Sequence, residues 1–287
     1  MSPPRLLAGL SAIASDYDAI LCDVWGVIHN GKEAFAHACH ALQEFRDAIG
    51  PVILITNAPV PKDRVTRLFP KFGVPMDCFD DVIASGDATR NELKLLAPGP
   101  VYRIGLDEDF GVYASLPLDF SDDPAVAKVI CCTSLRDYPN GTPEPYRHEL
   151  KRLAAHDLPM LCANPDVQFR QGDRLIWSAG SLAAIYEEEG GTVIRPGKPD
   201  APIYKLAMER AGEITGRSLP PSRILAIGDG PITDILGANR QGFDALFIGG
   251  GIHGHSMGQG DAFLTSAAQI LEADSVTAKY AMPELAW

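Results

Sequence analysis

Short apolar runs at residues 19–22, 52–55, 160–163, 223–227 and 245–248 punctuate this chain, each bounded by turn residues and separated by helical patterns. Such runs read as strands buried on both faces, as in a parallel sheet. Parallel neighbours need crossover connections, and the helical patterns supply them. One helix is read at 33–49, where Phe35, Ala38, Leu42, Phe45 and Ile49 share a face and Gly50-Pro51 ends the pattern. Others are read at 62–72, 87–96, 144–156, 181–189, 201–211, 232–241 and 261–271. Residues 6–14 read as a short helix packed on the sheet. The expected fold class is α/β.

The 287 residues suit one large domain or two ordinary ones. The texture changes near Asp87, and a Pro- and Asp-rich connection follows at 117–124. Arg195-Pro-Gly-Lys-Pro199 marks a second break between modules. The expected organisation is a core built from residues 1–86 and 196–287, with 87–195 inserted as a smaller α/β module.

A net charge of −12 argues against nucleic acid or an anionic membrane as the main partner, since both call for a basic footprint. A phosphorylated small molecule stays compatible, because a bound Mg²⁺ reverses the local sign. The six cysteines form no CxxC pair and read as small buried hydrophobes in a reducing compartment. No apolar stretch is long enough to span a bilayer, and the expected location is cytoplasmic.

Ligands of open parallel sheets bind beyond the carboxyl ends of the strands. Asp23, Thr56-Asn57, and Asp229 with Asp234 fall at such ends, and Lys198 falls in the loop between modules. These residue types suit phosphoryl transfer. A carboxylate such as Asp23 can attack phosphorus, but anion then meets anion and a cation is needed. Mg²⁺ takes oxygen ligands, which Asp23, the Trp25 carbonyl and Asp229 can supply. Asp234, near a helix start, joins this metal set or orients Asp229. Thr56 and the Asn57 N–H can bind phosphoryl oxygens, and Lys198 can neutralise charge in the transition state. Each residue also has a plainer reading: a helix-end charge for Asp234, a solvated loop for Lys198, a strand end for Thr56.

The order of these motifs is informative. Asp23-Val-Trp-Gly, Ile55-Thr56-Asn57, Gly197-Lys198-Pro199 and Gly228-Asp229-Gly-Pro-Ile-Thr-Asp234 resemble the four motifs of the haloacid dehalogenase (HAD) superfamily. The gap between Thr56 and Lys198 is where subfamily IIA carries its large C2-type cap, and Asn164-Pro-Asp166 and Ser178-Ala-Gly180 look like that subfamily too. The resemblance covers nearly the whole chain. It implies a Rossmann-like core, Mg²⁺ dependence, an Asp23 nucleophile and a cap that selects a small phosphorylated metabolite. It also implies 4-nitrophenyl-phosphatase-like chemistry through an aspartyl-phosphate. Subfamily relatives associate through the cap, so a homodimer is compatible with it.

One position departs from that pattern. HAD phosphatases usually carry an aspartate two residues after the nucleophile, as general acid and base; here it is Trp25. Its carbonyl can still bind metal, but indole does not protonate a leaving group at neutral pH. Lost general-acid catalysis is typically worth ~10²–10⁴-fold. Leaving groups that need no proton should suffer least. Trp25 can instead pack against substrate or cap, or simply fill the seam between core and cap. Two other readings stay open: a metal-independent 2-haloacid dehalogenase, which also has an aromatic residue at this position, and a catalytically weak sensor of a phosphate ligand. The acidic pair Asp229 and Asp234 favours a cation and ranks dehalogenation lower.

Further residues are weaker candidates. Asn164 and Asp166 can face substrate from the cap, or close an Asx turn around Pro165. Arg136 and Arg170 are substrate anchors by charge and loop position alone. His253 and His255 read as loop histidines, since no clear third ligand supports zinc. Cys131 and Cys132 read as strand core.

Overall fold

A computed structural model describes residues 3–106, 111–171, 174–251 and 257–287, apart from the side chains of 170 and 171. The chain forms two compact units, Met1–Thr56 with Thr66–Ile83 and Pro199–Trp287, and Asn57–Val65 with Ala84–Lys198.

The first unit is built on a seven-stranded sheet in the order Arg5–Leu6, Tyr280–Met282, Asp244–Ile248, Ile224–Gly228, Ala19–Asp23, Val52–Thr56, Asp81–Ala84. The central pairings are parallel, with Leu21 opposite Ala226 on one side and Ile53 on the other. The strands Ala19–Asp23, Val52–Thr56 and Ile224–Gly228 are buried at every residue, so both sheet faces must be covered. On one face, Leu21, Ile53, Ala226 and Phe247 pack in a cluster with Ile203 and Tyr204 of helix Ala201–Thr215 and Phe263 of helix Gly260–Ala273. The α/β class is observed.

The second unit has a four-stranded parallel sheet in the order Val193–Ile194, Met160–Cys162, Val129–Cys132, Val101–Ile104. An antiparallel hairpin pairs Gln168–Gln171 with Arg174–Trp177. Ile104, Ile130 and Met160 pack with Leu150 and Leu153 of helix Arg147–Ala154 and Leu182 of helix Ala179–Glu188. Cys131 and Cys132 are fully buried strand residues, and all six cysteines are free thiols in the interior. Among the described residues no helix is long and apolar enough to cross a membrane.

Some local expectations need correction. Residues 6–14 do not form a helix: Arg5–Leu6 is an edge strand beside Tyr280–Met282, followed by 3₁₀ turns at Leu10–Ala12 and Ala14–Asp16. The strand Tyr280–Met282, only three residues long, carries no pattern in the sequence. The helix expected at 62–72 is two pieces, Lys62–Thr66 and Phe69–Phe72. Pro70 cannot donate to a continuing ladder and sits in the first turn of the second piece.

The compact units also differ from the 1–86, 87–195 and 196–287 partition. Residues 57–65, 84–86 and 196–198 group with the second unit. These segments pack closely on one another. Gly86 donates to the Ala58 carbonyl, and a Cβ added there would fall closer than 3.0 Å to the Val60 backbone. Gly197 lies equally tight against the side chains of Asn57 and Ser85.

Candidate active site

The strand order of the first unit sets the site. Ile224–Gly228 lies beside Ala19–Asp23, which lies beside Val52–Thr56. All run parallel, so Asp23, Thr56 and the residue after Gly228 emerge from three adjacent carboxyl ends. Carboxylate oxygens of Asp23, Asp229 and Asp234 all lie within 4.8 Å of one another, and the three residues are 6%, 2% and 4% exposed. Three like charges brought this close and out of water are costly without a compensating cation. The donor set is three hard oxygens, which fits a divalent cation of the Mg²⁺ or Ca²⁺ type rather than a thiolate- or imidazole-seeking metal. Both expected carboxylate partners of Asp23 are thus gathered with it.

Glycines make this approach possible. Gly26 has φ +87°, and a Cβ there would come closer than 3.0 Å to the Asp229 carboxylate. Gly251 abuts the same carboxylate from another segment. Asp234 is held from its own turn: it lies in the wide π-type turn Pro231–Ile235, and its Oδ2 accepts the Gly230 N–H at 3.0 Å. This turn precedes helix Leu236–Gln241, so the single helix expected at 232–241 begins with a distorted turn that carries a site residue.

Trp25 is half-buried and packs within the first unit. The far edge of its indole lies on Gly31, where a Cβ would not fit, and its ring meets His29 edge-on at 5.3 Å. His29 is buried, lies 4.8 Å from Phe72, and accepts the Gly31 N–H on Nδ1 at 3.0 Å. Burial lowers the His29 pKa to about 4. Because the folded pKa lies below the unfolded value, His29 costs stability as pH falls from about 6.5 toward 4, where only the unfolded chain takes the proton. The unfolding free energy should therefore fall by about 2 kcal/mol between pH 7 and pH 5 from this residue. Denaturant titration at both pH values checks this, and His29→Asn, which keeps an acceptor for Gly31, should flatten the difference. An equal pH dependence in the variant refutes the assignment.

In the second unit, Asn57, Asp166 and Lys198 form a side-chain clamp. The Asn57 Nδ2 donates to Asp166 Oδ1 at 2.9 Å and to the Lys198 carbonyl at 3.2 Å, while its Oδ1 accepts the Lys198 N–H at 2.8 Å. Asn57 and Lys198 are 4% and 2% exposed. Asn164 accepts the Asp166 N–H at 3.1 Å, closing the Asx turn around Pro165. Sequence reading named all four residues but not the side-chain clamp that ties Asn57 to the loop of Lys198. Arg136 forms a two-pronged pair with Glu149, both contacts at 2.8 Å, and Glu149 also accepts from Tyr102. Arg136 thus belongs to a side-chain network of that unit. His253 and His255, and the side chain of Arg170, lie outside the described residues.

A parallel sheet with buried carboxylates at adjacent strand ends defines a class of hydrolase scaffold, and the comparisons agree. A family model described as haloacid dehalogenase-like hydrolase matches residues 20–114, and one described as HAD-hydrolase-like matches 195–273. The crystal structure of a haloacid dehalogenase-like hydrolase from Brucella suis 1330 is 43% identical, covering 86% of this chain and 94% of that one with a TM-score of 0.81. The chain belongs to the haloacid dehalogenase-like hydrolase family. It is also similar to a possible sugar phosphatase of the HAD superfamily from Cytophaga hutchinsonii, at 17% identity over 98% of each chain with a TM-score of 0.80, a likeness of fold. A 5'-nucleotidase of Bacillus subtilis (strain 168), YutF, is 24% identical over 243 residues, which is 82% of this chain and 88% of that one.

Proposed function

We propose that this chain is a Mg²⁺-dependent phosphatase of a small phosphorylated metabolite, working through an aspartyl-phosphate on Asp23. The observation that carries the reading is the buried convergence of Asp23, Asp229 and Asp234. The names of its relatives, a 5'-nucleotidase and a possible sugar phosphatase, support a phosphoric ester as substrate. Asp23, Asp229, Asp234 and the Trp25 carbonyl would hold the ion, which when bound supplies positive charge against anion–anion repulsion. An Asp23 carboxylate oxygen attacks phosphorus and the leaving group departs. Water then cleaves the aspartyl-phosphate and restores Asp23. Thr56 and the Asn57 N–H hold phosphoryl oxygens, and the Lys198 ammonium offsets charge in the loose transition state. Asn164 and Asp166 contribute by bracing Asn57.

The test is turnover of 4-nitrophenyl phosphate by the purified chain. Turnover is expected with Mg²⁺ and should disappear with a chelator. Equal rates without metal would overturn the metal dependence, and halide release from a 2-haloacid under chelator would favour dehalogenation instead.

A further inference from the structure

We propose that Asn57 is a positioning residue that acts through its side chain: its carboxamide fixes the main chain at Lys198, and so the base of the arm that carries the ammonium, and Asp166 holds that carboxamide in place. The inference rests on the phosphatase reading above, with Lys198 in the role given there, and adds to it a second function for Asn57 beside that of its N–H.

Lys198 lies in a turn after the strand Val193–Ile194, outside any helix or strand. Its main chain takes no position from a regular hydrogen-bond ladder, and Asn57 gives it one. A carboxamide offers an acceptor and a donor side by side. Here the acceptor takes the Lys198 N–H at 2.8 Å, while the donor meets the Lys198 carbonyl at 3.2 Å. Both polar main-chain groups of one residue are thus paired by a single side chain 141 positions away. The approach is close, since a Cβ on Gly197 would come 2.6 Å from Asn57 Oδ1.

The Asn57 Nδ2 also donates to Asp166 Oδ1 at 2.9 Å. A carboxylate acceptor makes this a strong hydrogen bond and decides which way the planar amide faces. Turned over, the amide would set Nδ2 against the Lys198 N–H and Oδ1 against two acceptors. Asp166 is itself pinned by its main chain. Its N–H donates to Asn164 Oδ1 at 3.1 Å, and its carbonyl accepts the Gly180 N–H at 3.2 Å, at the start of helix Ala179–Glu188. A Cβ on Gly180 would fall 2.5 Å from that carbonyl oxygen. The clamp therefore ties the main chain of Lys198 to a helix of the second unit. Such a tether matters for a lysine because its long stem has many rotamers. With the main chain held, only the stem is left to order, and Lys198 is 2% exposed.

The experiment uses the full chain with Mg²⁺ and 4-nitrophenyl phosphate. Asn57→Ala is made in the parent and in a Lys198→Met background, and thermal unfolding is recorded for each variant. The alanine keeps the N–H of residue 57, so the phosphoryl contact assigned to that group stays. In the parent, Asn57→Ala should lower kcat by about 10²-fold, the cost of a misplacement near 1 Å. With Lys198→Met no ammonium is left to misplace, so the same substitution should change kcat by no more than about twofold, the scatter of measured additivity. The fall in Tm should be equal in both backgrounds, because Asn57 binds the main chain of residue 198 whatever its side chain. Asp166→Ala should lower kcat about tenfold, the worth of one hydrogen bond, and Asp166→Asn, which keeps an acceptor for Nδ2, should recover most of that loss. A kcat loss as large in Lys198→Met as in the parent would show Asn57 acting by itself and would overturn the inference. So would a parental kcat in Asn57→Ala. Both results leave the phosphatase reading intact. Lys198→Met with parental kcat would overturn the role of Lys198 and this inference together, and no turnover by the parent chain would overturn the phosphatase reading itself.

Discussion

Asp23→Asn should lose at least about 10³-fold of the aryl phosphatase activity, or about 4 kcal/mol of transition-state stabilisation. The amide keeps the size and shape of the carboxylate but can neither attack phosphorus effectively nor contribute a negative charge to the cation site. Asp23 is only 6% exposed and its carboxylate oxygens lie within 4.8 Å of those of Asp229 and Asp234. Removing one of three crowded charges should therefore stabilise the metal-free fold while weakening the rise in Tm on adding Mg²⁺. These opposite signs separate a lost nucleophile from a damaged fold. Activity within tenfold of the parent would remove Asp23 from the role assigned to it.

The second large effect is expected at Gly26. An alanine there meets two obstacles: φ is +87°, and the new Cβ would collide with the Asp229 carboxylate. Left-handed backbone at a non-glycine residue costs about 1–3 kcal/mol. The collision must further displace either the turn after Asp23 or Asp229 itself. Gly26→Ala should thus lower kcat/KM by about 10²-fold, the cost of a misplacement near 1 Å, and raise the Mg²⁺ concentration needed for half-maximal rate. Gly73→Ala is the control. Gly73 has a similar φ of +80° at the end of helix Phe69–Phe72, but nothing lies within 4 Å of its added Cβ. It should pay the backbone cost alone, visible as a lower Tm with kcat/KM and Mg²⁺ response unchanged. If both variants behave alike in kcat/KM and metal response, the contact between Gly26 and Asp229 has no functional weight.

Much of the fold was legible because buried parallel strands announce themselves locally. Ala19–Asp23 and Val52–Thr56 are nearly unbroken apolar runs, and each ends on a polar residue to which the proposed function gives a role. Elements that depend on partners were harder to see. Arg5–Leu6 and Tyr280–Met282 are too short to carry a pattern and exist as strands through pairing across 275 positions of chain. Trp25 illustrates the same divide within the site. Its presence in place of a carboxylate is plain in the sequence. That its ring packs on Gly31 and His29 depends on a loop turned by Gly31 at φ +80°.

The amino-acid sequence by itself determined the alternation of strands and helices, the residue types placed at strand ends, and hence the family and its chemistry. These follow from local periodicity and turn residues, which act over a few positions. Only the tertiary structure decided that Ile224–Gly228 lies beside Ala19–Asp23, so that Asp229 and Asp234 meet an aspartate some two hundred residues earlier. It alone, too, decided that the side chain of Asn57 locks onto the main chain of Lys198. The reason is that strand order and close backbone approach are set by which surfaces can be buried together, and no local stretch of chain encodes its distant neighbour.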